Sequence, residues 1–153
     1  MSATKDDADL ILRLYEIRRE EEMRRARNWF MTEFNPESAP DIFNVMMGEH
    51  SADFRMVLSY WDMVATFVNY GLIDEQLFND INTEHVGVYA KVQPFVEEIR
   101  ATAGVPPYLY CKNLEPLVLR LPDAKERIEA MRRYMKRRVE AGKQSEPPAV
   151  AGG

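Results

Sequence analysis

The chain has 153 residues, 46% hydrophobic and 29% charged, which is one domain's length and a composition able to enclose a core. Twenty lysines and arginines stand against 25 aspartates and glutamates, and the resulting net charge of −5 argues against general nucleic-acid binding. One cysteine excludes an internal disulfide, and two histidines exclude a histidine-rich metal site.

Seven glycines and nine prolines fall mostly between apolar periodic segments, and no run alternates strictly enough to read as a strand. The expected fold is all-α: a single-domain helical bundle of about six or seven helices over residues 1–141, followed by a disordered tail over 142–153. The first helix is expected from Asp6 to Glu33. Asp6, Asp7 and Asp9 favour the positive end of its dipole, and Phe34-Asn35-Pro36 ends it, because a residue before proline avoids the helical region. Leu10, Leu14 and Ile17 mark one apolar face; Met23, Ala26 and Phe30 extend an overlapping one. Between them, the run from Arg18 to Arg25 is expected to pair Glu with Arg along the helix, each pair contributing only about 0.2–0.5 kcal/mol.

A short second helix follows from Asp41 to Met47. The third, from Asp53 to Tyr70 with Gly71 as its stop, is the best defined. Phe54, Leu58, Trp61, Ala65 and Val68 make one apolar stripe, and Met56, Tyr60, Met63, Phe67 and Tyr70 a second. Only a narrow polar stripe of Arg55, Ser59, Asp62, Thr66 and Asn69 remains, so this helix is expected to be buried at the centre of the bundle. Asp74 caps a fourth helix with Leu77, Phe78 and Ile81 facing inward. A fifth, from Glu84 to Ala103, is kinked at Pro94. A sixth spans Leu109 to Arg120, and a seventh, after Pro122-Asp123, buries Ile128, Met131, Met135 and Val139.

The segment from Met1 to Asp9 is polar and acidic where a secretory signal needs a basic start and an apolar stretch. The apolar-leaning segment from Phe54 to Ile73 is interrupted by Arg55, Asp62 and Asn69, against the roughly 20 apolar residues that a spanning helix needs. A cytoplasmic setting with no integral membrane segment is the expectation.

Charge is unevenly placed. Residues 33–99 hold twelve acidic and two basic residues, whereas 124–143 hold eight basic and three acidic ones. The last helix is therefore basic and amphipathic, and Arg132, Arg133, Lys136, Arg137 and Arg138 form a candidate basic surface for a membrane or a nucleic-acid backbone. The plainer reading, that it packs on the bundle and faces acidic surface, is preferred because Tyr134 is its only aromatic partner.

Helical di-iron sites need Glu-x-x-His pairs, and Met47 and Asn82 stand three residues before His50 and His85. No metal and no cofactor is expected; an improvised site from Glu49, His50, Glu84 and His85 is the remaining alternative. His85, in line with Tyr89, reads as a core histidine before it reads as a ligand. Cys111 reads as a small buried hydrophobe, since nothing local brings a histidine to it. Asp62 lies between two apolar stripes and, if buried, requires a donor. Arg55, Asp62 and His85 thus make a candidate ligand pocket, set against an ordinary ion-paired stripe. No phosphate loop, nucleophile elbow or dinucleotide fingerprint is present, so no catalytic residue is assigned.

The segment Tyr60-Trp61-Asp62-Met63-Val64-Ala65 is followed by Tyr70-Gly71-Leu72-Ile73-Asp74-Glu75. Val92-Gln93-Pro94-Phe95-Val96 and Leu114-Glu115-Pro116-Leu117 come later. In this combination the chain resembles a helical bacterial family described as domain of unknown function 4760, over Arg55 to Leu121. The resemblance implies the helical fold, an acidic residue at Asp62 and the turn from Gly71 to Asp74; it implies no activity. The leading expectation is a protein-interaction or self-associating module. Small-molecule sensing near Asp62 and His85 comes second, and a membrane-surface or nucleic-acid accessory role through residues 124–143 third.

Overall fold

The computed structural model describes residues 2–102 and 110–144, and among them every regular element is helical. Helix α1 (Lys5–Arg18) starts at a capping box in which Thr4 and Asp7 satisfy each other's backbone N–H. It does not continue to Glu33. The chain is extended at Glu20 (φ −60°, ψ 144°), and α2 (Glu21–Thr32) starts afresh. The reason lies in the apolar pattern. At about 100° per residue, Leu10, Leu14 and Ile17 lie nearly opposite Met23, Ala26 and Phe30, so one straight helix cannot turn both sets to one core. Ile11 and Leu14 are buried from α1, whereas Ile17 stays exposed. Arg27 Nη1 donates to the Arg18 carbonyl that the break leaves open, at 3.2 Å.

Ser38 caps α3 (Ala39–Met46), and α4 (Ser51–Asn69) follows. α4 ends in a Schellman turn: Leu72 N–H reaches Phe67 O at 2.9 Å and Gly71 N–H reaches Val68 O at 3.0 Å, with Gly71 at φ +76°. Of its expected second stripe only Tyr60 is buried; Met56 and Phe67 are half-buried, and Met63 and Tyr70 are exposed. Asp74 caps α5 (Glu75–Ile81) through Leu77 N–H at 2.8 Å. Phe78 is buried there, but Ile81 points outward, at 55% exposure. The most enclosed element is α6 (Glu84–Val92), in which His85 to Val92 are buried without interruption. Pro94 then sits in a 3-10 turn (Gln93–Phe95) before α7 (Val96–Thr102), which is the expected kink.

The expected stop at Gly104 to Pro107 and the start at Leu109 lie outside the described residues. The described part of that expected helix starts late: residues 110–113 form a turn, with Cys111 at φ +55°, and α8 (Leu114–Leu119) begins only after it. α9 (Ala124–Gln144) buries Ile128, Met135 and Val139 and runs through Gly142; the rest of the expected tail lies outside the described residues. The split of the first helix and the 3-10 turn raise the number of α-helices to nine among the described residues.

α4 packs against α2, α3, α5, α6 and α8, while α9 closes over α2, α6 and α8. Trp61, Phe30 and Phe54 are fully buried, each contributing about 1.5–3 kcal/mol. Gly87 brings α6 and α9 together, since a Cβ there would stand 3.0 Å from Met131 Cε. No described helix is long and apolar enough to cross a membrane.

Candidate functional site

Glu84, at the start of α6, holds the break between α1 and α2 in place. Arg27 grips its carboxylate with Nε and Nη2, both at 2.9 Å, and Arg18 Nη1 adds a third contact at 3.2 Å. Two guanidinium groups on one carboxylate leave a unit positive charge in a half-buried place. Of the arginines in the charged run, expected to pair within their own helix, Arg18 alone forms an ion pair among the described residues, and it reaches across to α6, as does Arg27 just beyond the run.

Beside this junction an open groove of about 910 Å³ runs between α2, the start of α6 and α9. Met31 and Met135 are buried and Met131 half-buried, so flexible thioethers form its floor. Arg24 and Arg25 from α2 and Arg138 from α9 are exposed along its edges. None of the three forms an ion pair with a described residue. Arg138 lies over the Tyr134 ring, 6.0 Å from its centroid, which leaves the guanidinium charge unneutralised.

The candidate basic surface is divided by the fold. Arg132 donates to Ala90 O at 3.1 Å and to Gln93 Oε1 at 2.7 Å, closing the end of α6. Arg138 joins the groove, and Arg133, Lys136 and Arg137 are exposed. Lys91 is a cation that composition did not single out. It is buried, its ammonium donates to the Phe30 and Phe34 carbonyls, and it lies 5.4 and 5.7 Å from those residues' ring centroids. Burial, with Arg138 adding repulsion, pulls its pKa down to about 7.

Arg55 and Asp62 hydrogen-bond to different partners, and His85 to none among the described residues. Arg55 is exposed and donates to Ser51 O at 3.3 Å, within its own helix. Asp62 accepts from Leu114 N–H at 2.9 Å, Asn113 N–H at 3.0 Å and Asn113 Nδ2 at 3.2 Å, so its donors come from the start of α8. Its carboxylate caps that helix. His85 is 1% exposed between Trp61 and Phe78, at 5.7 and 4.9 Å between ring centroids, and neither ring nitrogen has a hydrogen-bond partner among the described residues. Burial, with Arg18 nearby, lowers its pKa to about 4 and keeps it neutral.

His50 stacks on Trp29 at 4.7 Å and bonds Asp53 at 3.0 Å, whereas Glu84 is taken by arginines. Among the described residues no three of His, Cys, Asp and Glu are placed to hold a metal ion. Cys111 is buried, and burial first, then the Asp62 charge, pushes its thiol pKa well up.

The arginines of α2 are functional candidates that sequence reasoning absorbed into helix pairing. The usable signal was the stretch from Arg24 to Arg27, after which α2 has no acidic residue before Glu33.

A family model described as a domain of unknown function (DUF4760) matches residues 3–121, a longer stretch than the motifs from Arg55 to Leu121 suggested. The match spans α1 to α8, so Arg24 and Arg25 fall within it and Arg138 beyond it. No curated protein and no solved structure matches the chain.

Proposed function

The chain belongs to this family of unknown function, and from that premise we propose that it is a protein-interaction module whose groove between α2 and α9 takes an acidic, amphipathic segment of a partner. The observation that carries this reading is the pairing of three unneutralised arginines, Arg24, Arg25 and Arg138, with a methionine floor. Thioether side chains repack around varied apolar surfaces. Guanidinium groups at the edges grip carboxylates bidentately. An amphipathic helix laid in a groove uses both. The proposed setting is cytoplasmic.

The test is a fluorescence-anisotropy titration with a labelled helical peptide carrying leucines at helical spacing and glutamates on the flanks. A peptide of the same composition in scrambled order is the control. Binding should weaken with salt, and the exposed-site variant Arg24→Glu/Arg25→Glu/Arg138→Glu should lose at least tenfold in affinity, which is about 1.4 kcal/mol. Equal binding of the scrambled peptide, or an unaffected triple variant, overturns the reading. A salt-sensitive dimer of the chain alone that needs the same arginines replaces the partner with a second copy.

A further inference from the structure

Beside α1 a largely apolar cavity of about 250 Å³ is walled by Ile11, Leu14, Trp61, Val64 and Phe78, with Arg18, Tyr60 and Asn82 also in its lining. We propose that this cavity binds a small apolar carboxylic acid, its hydrocarbon part beside Trp61 and Phe78 and its carboxylate on Arg18.

Four observations converge. A cavity of about 150 Å³ lined by apolar side chains is enough for benzene, so this one has room for an aromatic ring with a short acidic arm. Its surroundings are apolar where solvent would otherwise be met: Leu12, Tyr15 and Ile81, also in the lining, are 59%, 49% and 55% exposed. Arg18 supplies the charge. Its guanidinium lies 5.2 Å from the Trp61 ring centroid and spends only Nη1 on Glu84, a carboxylate already held twice by Arg27, so the trio keeps a net positive charge for an incoming anion. Finally, Trp61 is 1% exposed yet its indole N–H has no hydrogen-bond partner among the described residues. A buried donor left without an acceptor is uncommon in a folded protein, and a carboxylate oxygen would complete it. His85, packed behind Trp61, stays neutral and brings no competing charge.

Phenylacetate and its uncharged counterpart phenylacetamide are the probes, titrated calorimetrically into the full chain and followed by ¹H–¹⁵N and methyl NMR. Phenylacetate should bind saturably and at least tenfold more tightly than the amide, and Arg18→Gln should abolish that preference. Val64→Phe, which fills the cavity, should remove binding of both. The shifts provoked in the unmodified chain should centre on the Trp61 indole N–H and the methyls of Ile11, Leu14 and Val64, a readout that stands even if a filled variant does not fold. No saturable binding, equal affinity for acid and amide, or shifts centred on Arg24, Arg25 and Arg138 would each overturn the proposal. The cavity and the groove share no lining residue, so failure here leaves the interaction reading intact.

Discussion

Replacing Asp62 by alanine removes the acceptor for three donors at the start of α8. Leu114 is fully buried, so its N–H would be left without water or protein; an orphaned buried donor costs about 1–3 kcal/mol. Asn113 is half-buried, and water can recover part of its loss. The cost of Asp62→Ala is therefore about 1–3 kcal/mol, or a fall of roughly 2–12 °C in Tm for a chain of this size. Asp62→Asn keeps one oxygen in place of Oδ1, which accepts both backbone bonds, and should lose about 1 kcal/mol or less. Urea unfolding followed by far-ultraviolet circular dichroism separates the two variants. An alanine variant within about 0.5 kcal/mol of the parent would refute the capping role. So would an asparagine variant as damaged as alanine, because charge rather than acceptor geometry would then govern.

Two other outcomes follow from the packing. The unfolded chain protonates His85 near pH 6.5, while the folded chain resists until about 4. The unfolded state therefore binds more protons over that window, and stability falls as pH drops through it, by roughly 2 kcal/mol between pH 7 and pH 5. Urea midpoints at the two pH values should show this, and His85→Phe should flatten the difference; an unchanged slope in that variant would place its origin elsewhere. Gly87→Leu drives a side chain into Met131 and Met135 and should destabilise by about 1–3 kcal/mol, loosening the amides of α9 in hydrogen exchange ahead of those of α4. Uniform loosening would show that the α6–α9 approach is not the weak point.

What could be read from the chain in advance was local. The Asp74 cap, the Gly71 stop and the Pro94 kink each depend on a residue's own backbone chemistry, and each stands in the structure. The break at Glu20 was legible in principle, because the two apolar sets around it face opposite ways, but charge pairing drew attention to the run's continuity. The surroundings of Asp62, His85 and the groove were not legible. Asp62 meets its donors 51 and 52 residues downstream, and Arg24 and Arg138 share an edge only because α2 and α9 pack together. Residue type announced that Asp62 needed donors; only topology could say that two of them are backbone amides and the third is the Asn113 side chain. Ile81 fits the apolar spacing of α5, yet it is the last residue of that helix and remains 55% exposed.

Lys91 has a consequence for how the bundle assembles. The carbonyls near the end of α2 receive their donor from a residue 57 to 61 positions later in the chain, where many helices use a nearby glycine. The last turn of α2 is thus incomplete in any fragment that lacks α6, and α6, burying eight consecutive residues, has no stable surface of its own to present to water. Their joining closes a long loop, and it is one of several non-local contacts in the bundle, since α2 also packs on α9 and α4 on α8.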